Sequence, residues 1–263
     1  MGRIKELHNN ELPDMAHCKQ FMEKIVILNT QLAQRSHELE STNRELEAFN
    51  STVSHDLRTP LATINMYAES TLKHCGNNLD EQCRTYLKSI LVQSEYMNEL
   101  INRLLQFSQT ACKEIKKENV DLGSIARRIA ANLRLQDPER EADVKVPKRL
   151  VVRGDKYLLQ EVLENLIGNA WKYTGRQKAA VIEFGAMEHE GKPACFVRDN
   201  GIGFDSGQAA KLFVPFQTLH SRAEFKGHGV GLATVKRIIQ RHGGQVWAKG
   251  EVGKGAIFYF TLV

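Results

Sequence analysis

No window of this chain approaches the run of about eighteen apolar residues that a membrane-spanning helix needs, and the N-terminus carries no signal-peptide core. The five cysteines, at positions 18, 75, 83, 112 and 195, are odd in number and match no metal-ligand spacing. They read as reduced thiols and point to a cytoplasmic protein rather than a disulfide scaffold or a zinc module. Charge of neither sign dominates. The 36 Lys and Arg against 31 Asp and Glu leave a formal net charge of +5, and no aromatic-basic interleaving suggests a nucleic-acid partner. The Walker pattern ending in Gly-Lys-Ser/Thr is absent, as is the strand, glycine loop and helix of a dinucleotide-binding unit. At 263 residues with 42% hydrophobic and 25% charged composition, the chain is an ordinary globular one with room for two modest domains.

Against these absences one stretch stands out: Ser54-His55-Asp56-Leu57-Arg58-Thr59-Pro60. Val53, Leu57, Leu61, Ile64, Ala68 and Leu72 recur at spacings of three and four and predict one buried helical stripe. His55 lies two residues from both Val53 and Leu57, roughly 200° around the helix from each, and is expected to face solvent beside Asp56. Pro60 removes a helix hydrogen bond just after this turn and predicts a bend.

Three further pieces follow. In the helical run Asp155 to Tyr173, Asn165, Asn169 and Lys172 are spaced four and three apart and share one face. Carboxamide oxygens suit Mg²⁺ that is shared with phosphate oxygens, and a lysine beside them neutralises phosphate. An ordinary polar helix face fits the asparagine pair equally well. Next, Asp199-Asn-Gly201-Ile-Gly203 follows a strand-like run; a fixed carboxylate there suits an adenine amine, although Asp-Asn-Gly is also strong turn chemistry. Last, Gly227-His-Gly229-Val-Gly231-Leu232 opens a helix, whose first N–H groups favour anions. Each piece is weak alone; in this order after an exposed histidine they are collectively specific.

With these residues the chain resembles the sensor histidine kinases of two-component systems, over roughly Ala48 to Val263. The run around His55 looks like the family's H box, Asn165 to Tyr173 its N box, and Asp199 to Gly203 its G1 box. Phe213-Val-Pro-Phe216 looks like the F box and Gly227 to Gly231 the G2 box, and Arg241-His-Gly-Gly is similar to the phytochrome-related branch. The resemblance implies transfer of the γ-phosphoryl group of ATP to His55 and then to an aspartate of a response regulator's receiver domain. It further implies that Asp56 activates the imidazole and that Thr59 orients water for dephosphorylating the regulator. Mg²⁺ goes mainly to Asn169 with Asn165 beside it, phosphate to Lys172, adenine to Asp199, and further nucleotide contacts to Tyr173, Phe213, Phe216 and Leu232. Residues 205–226 would form a lid. Many relatives carry a basic residue where this chain has Thr218; Arg222, Lys226 or His228 are candidate substitutes.

The expected organisation is an N-terminal segment and coiled coil (1–47), a dimerisation and phosphotransfer hairpin (48–112), a linker (113–119) and an α/β sandwich ATP-binding domain (120–263). Cys18, Ile25, Leu32, Leu39 and Leu46 form one row of a heptad; its partner row, Phe21, Leu28, Arg35, Thr42 and Phe49, is interrupted by Arg35 and Thr42. Met1 to Ala16 reads as irregular. The hairpin stripes predict a homodimeric four-helix bundle. Fifty residues before His55 leave no room for a sensor, so that module is expected outside this chain. Two other classes compete: ATPases of the chaperone and gyrase type, which lack an H box on a bundle helix, and a non-enzymatic scaffold, which would not need every motif core.

Overall fold

A computed structural model describes residues 12–75, 78–109, 115–219 and 229–263. The chain divides into two compact units, Met1–Val53 and Ser54–Val263. Helix α1 is Leu12–Cys75 and helix α2 is Glu81–Gln109. The helix therefore starts within the segment expected to be irregular. Pro13 does not prevent this, because a first-turn N–H has no intrahelical acceptor to lose. In the first unit the described seam residues Phe21, Ile25, Leu28 and Leu32 are all exposed.

In the second unit, α1 from Ser54 onward and α2 form the hairpin. Asp80 caps the turn into α2 by accepting the Cys83 N–H at 2.6 Å. The expected stripe is only half buried: Leu61 and Ala68 are covered, while Leu57 and Ile64 are 44% and 47% exposed. Ser54, seven residues before Leu61, completes the covered line. A single helix partner shields one narrow seam, not a full 100° stripe. Ile90 and Met97 on α2 remain exposed for the same reason.

The rest of this unit is an α/β sandwich. Strand β1 (Glu118–Asp121) leads into α3 (Leu122–Gln136), β2 (Ala142–Lys145), β3 (Val151–Gly154) and α4 (Lys156–Tyr173). Strands β4 (Ala180–His189) and β5 (Lys192–Asp199), a 3-10 run (Ser206–Phe213), α5 (Gly231–Arg241), β6 (Val246–Glu251) and β7 (Gly255–Thr261) complete it. Five strands form one sheet in the order β2-β4-β5-β7-β6, with β2 and β4 parallel and the other neighbours antiparallel. Strand β3 stands apart from this sheet and pairs antiparallel with β1 as a separate ribbon. Strand β1 begins inside the stretch read as linker; its four residues, of which only Val120 is buried, are too few to show a period.

Helices α3, α4 and α5 supply one side of the core: Leu122, Ile125 and Ile129, then Leu159, Val162, Leu163, Leu166 and Ile167, then Val235, Ile238 and Ile239. Alternate sheet residues meet them, with Val197 registered between Phe184 and Phe258 and Cys195 opposite Phe260. Asp155 starts α4 by accepting the N–H groups of Tyr157 and Leu158 at 3.0 and 3.2 Å, and its Oδ2 accepts from Lys116 N–H. Thr174 closes the helix by donating its hydroxyl to Ala170 O at 2.6 Å.

Buried His242 ties two helices together. Its Nδ1 donates to Ile238 O at 2.8 Å, and its Nε2 accepts the Asp155 N–H at 3.0 Å. Only the neutral imidazole satisfies both, and burial holds its pKa below the ordinary value. The unfolded chain therefore binds the proton more readily than the folded one. Stability from this group is fully present above about pH 6.5, the unfolded value, and is lost as pH falls below it. Thermal melts between pH 8 and 5 should show a falling midpoint that is flatter in His242→Gln. Parallel curves for the two chains would mean His242 is not the titrating group.

Candidate functional site

Helix α4, the 3-10 run, the start of α5 and the ends of β5 and β7 enclose a cavity. Asn165, Asn169, Lys172 and Tyr173 line it from α4, Asp199 and Gly203 from the G1-like turn, and Gly229, Gly231 and Leu232 from the start of α5. Three segments far apart in sequence thus meet at one place. Gly201, Phe213 and Phe216 stand outside the lining. Phe213 is buried in the core, and Phe216 has a positive φ of 64° and donates its N–H to Gly229 O at 2.8 Å. Arg222, Lys226, Gly227 and His228, with the latter part of the expected lid, lie outside the described residues.

Asp199 ends β5 in a buried position, with Oδ1 accepting the Gly201 N–H at 2.8 Å. Burial pushes its carboxyl up to about 6, with the Gly201 and Ala256 N–H groups opposing the rise. The neighbouring Asn200 is committed elsewhere. It donates to Ala179 O and accepts from Val181 N–H, both at 2.8 Å, which fixes the turn to β4. Of the Asp-Asn-Gly triplet, only Asp199 presents its side chain to the cavity.

The glycines serve close packing between segments. A Cβ on Gly201 would lie 2.6 Å from Tyr173 O, and one on Gly203, whose φ is +64°, would overlap Glu251 O. At Gly231 the obstructed atom is Asn165 Oδ1. The residue type is foreseeable from the glycine-rich pattern; the partner across the gap is not.

Lys172 Nζ rests 4.0 Å from the centre of the Tyr173 ring. Burial, with a smaller effect of the positive charge of Arg103, lowers the ammonium to about 8, so it stays mostly protonated at neutral pH. Asn165 Nδ2 donates to Glu161 O at 2.8 Å, which leaves its oxygen toward Gly231. Among the described residues no group of three His, Cys, Asp or Glu is placed to hold a metal. A cation here would rest on carboxamide oxygens and on whatever the ligand itself supplies. Gly168, one helical step from Asn165 and Lys172, also lines the cavity and is legible from spacing. Arg103, from α2, is not.

On the hairpin, His55 and Asp56 side chains are 79% and 69% exposed, with Nδ1 and Oδ1 3.3 Å apart. Thr59 donates its hydroxyl to His55 O at 3.4 Å. Pro60 lies within α1 and offers no N–H to the Asp56 carbonyl. Arg58 reaches across to α2, donating Nη2 to Asn102 Oδ1 at 2.9 Å. His55, Arg58, Thr59, Ala62, Thr63 and Met66 border a shallow depression.

Residues 45–111 match the family described as His Kinase A (phospho-acceptor) domain, and residues 154–263 the histidine kinase-, DNA gyrase B-, and HSP90-like ATPase. The chain is 35% identical over 235 residues to cyanobacterial phytochrome B of Nostoc sp., across 88% of this chain and 31% of that protein. To the methanogenesis regulatory histidine kinase FilI of Methanothrix harundinacea it is 35% identical over 234 residues, across 88% and 26% of the two. The crystal structure of full-length ShkA in complex with AMPPNP matches at a TM-score of 0.58 and 27% identity, over 80% of this chain and 44% of that one. The chain spans about 30% of the length of the first curated relatives it matches. Among the described residues, no helix is long and apolar enough to cross a membrane.

Proposed function

We propose, from the premise that this chain belongs to the sensor histidine kinases, that it transfers the γ-phosphoryl group of ATP to a ring nitrogen of His55 and thence to an aspartate of a response-regulator receiver domain. The observation that carries this reading is the convergence of Asn165, Asn169, Lys172 and Asp199 on one cavity, in the same unit as an exposed His55–Asp56 pair. Asp199 would accept the adenine amine. Lys172 would neutralise phosphate, and Asn169, whose carboxamide has no hydrogen bond to another described residue, would hold Mg²⁺ with Asn165 beside it. Mg²⁺ held there would supply positive charge to offset that of the phosphates. The imidazole attacks the γ-phosphorus, ADP leaves, and the ring proton passes to Asp56 or solvent. The phosphoryl group then moves to the regulator's carboxylate, regenerating His55.

A homodimer fits the half-covered hairpin. Leu57, Ile64, Ile90 and Met97 leave apolar surface that a second hairpin would bury as a four-helix bundle. The exposed seam residues of the first unit suit a coiled coil in the same dimer.

The test is incubation with γ-labelled ATP and Mg²⁺. A label on the protein that is lost in acid and kept in base supports phosphohistidine; an ATPase of the chaperone type, or a scaffold, takes none. Two substitutions probe the cavity. Asn169→Asp places a carboxylate against phosphates in a partly desolvated space, where like charges repel more than in water, and should weaken Mg²⁺–ATP binding by at least about tenfold, near the 1.4 kcal/mol that one decade represents. Gly231→Ala should weaken it as well, by pushing Asn165 aside. Titration with a fluorescent ATP analogue measures both. Unchanged affinity in the pair would move the nucleotide elsewhere.

A further inference from the structure

The cavity has a wall that the ATPase fold does not supply. Arg103 comes from the last turns of α2, in the hairpin, yet lines the cavity together with Asn165, Asn169 and Lys172. It also borders an adjoining space beside Glu161, Glu164 and Gly231. Polar contacts hold this part of α2 against the ATPase fold: Gln106 Nε2 donates to Glu161 Oε1 at 3.0 Å, and Arg237 Nη1 donates to Phe107 O at 2.8 Å while its guanidinium lies 4.5 Å from the Phe107 ring centre.

Arg103 and Lys172 are the cations among the described cavity residues. Of the acids that share these spaces, Glu161 accepts from Gln106, and Glu164, which also lines the cavity, accepts from Gln160 Nε2 at 2.7 Å. Arg103 makes no hydrogen bond or ion pair to another described residue, and its guanidinium keeps its fork of donors. Its positive charge adds to the burial that makes the Lys172 ammonium easier to deprotonate. Two like charges converge on one cavity, and Arg103, in no ion pair with a described residue, keeps its donors for an incoming anion.

We propose that Arg103 is a polyphosphate-binding residue, delivered to the nucleotide cavity by the hairpin and not by the ATPase fold. The inference rests on the cavity's being the ATP site. Its consequence is that affinity for the phosphates depends on α2 lying against α4 and α5, whereas affinity for the base does not. A guanidinium suits the role because its planar fork can grip two phosphate oxygens at once.

The test compares adenosine with ATP·Mg²⁺, each bound to the full chain and measured by calorimetry. Arg103→Ala should bind ATP about tenfold more weakly, the loss expected for one charge-assisted hydrogen bond at an accessible site, and adenosine as well as the parent does. Arg103→Lys should recover part of the loss, because an ammonium restores charge without the fork. Equal ATP affinity in parent and Arg103→Ala would overturn the proposal, as would a parallel loss for adenosine, which would mark a structural role. A parent that binds ATP but never labels His55 would sink the kinase reading and leave the Arg103 contact standing. A parent that binds no adenine nucleotide would sink both.

Discussion

In His55→Gln, the label transferred from ATP should fall to background while the fold and the affinity for ATP stay those of the parent. The imidazole is 79% exposed, and among the described residues its side-chain polar contact is the 3.3 Å approach to Asp56. Its removal therefore leaves neither a cavity nor an unpaired buried group, and surface changes of this kind shift stability by no more than about 0.5 kcal/mol. Glutamine keeps a polar side chain of similar reach but has no ring nitrogen to attack phosphorus. The polar contacts of His55 stay within its own helix, to Asp56 and Thr59, so nucleotide binding has no reason to follow the loss. Labelling, nucleotide titration and a thermal melt on the same preparation separate the three quantities. Acid-labile label persisting on the variant, for instance at exposed His74, would show that the acceptor had been misassigned.

How much of this is legible in the sequence depends on whether the signal is local. Asp155 as the start of α4 and the shared face of Asn165, Asn169 and Lys172 follow from capping chemistry and a 3.6-residue period, both contained within one turn or two of chain. The glycines at 203, 229 and 231 declare a need for backbone freedom, yet what crowds them (Glu251 O, Phe216 and Asn165) belongs to other segments. Arg103 gives no signal at all. It is one arginine on a charged helix face, 62 positions before Asn165 by difference of residue numbers, and only tertiary packing brings it to the cavity. Strand β1 escapes a reading by pattern because four residues with one buried side chain have no measurable alternation. The hairpin stripe promises too much for a different reason. Periodicity reports every face that will be buried, including faces that one chain alone leaves in water, and so Leu57 and Ile64 carry the pattern without the burial.

The same turn of α1 should carry two separable activities. Asp56 lies beside His55 with its carboxylate within 3.3 Å of Nδ1, placed to take the ring proton or to polarise the imidazole. Asp56→Asn keeps the shape and removes the base, and autophosphorylation should drop by something like the 10²–10⁴-fold typical of a lost acid–base group. Thr59 sits one helical turn further on and spends its hydroxyl on the His55 carbonyl at 3.4 Å, a long bond that costs little to exchange for water. It carries no charge with which to activate the imidazole, but its hydroxyl both donates and accepts, which is what holding a water against a phosphoaspartate docked over His55 requires. Thr59→Ala should therefore leave autophosphorylation within a few-fold of the parent, since the exposed hydroxyl contributes little to packing, and should slow loss of phosphate from the regulator. Both rates measured in both variants, with one receiver domain, decide the matter. If the two substitutions depressed kinase activity equally, the turn would be acting through its backbone, with Pro60 already withholding a hydrogen bond from the Asp56 carbonyl, and the assignment of separate roles to the two side chains would have to be given up.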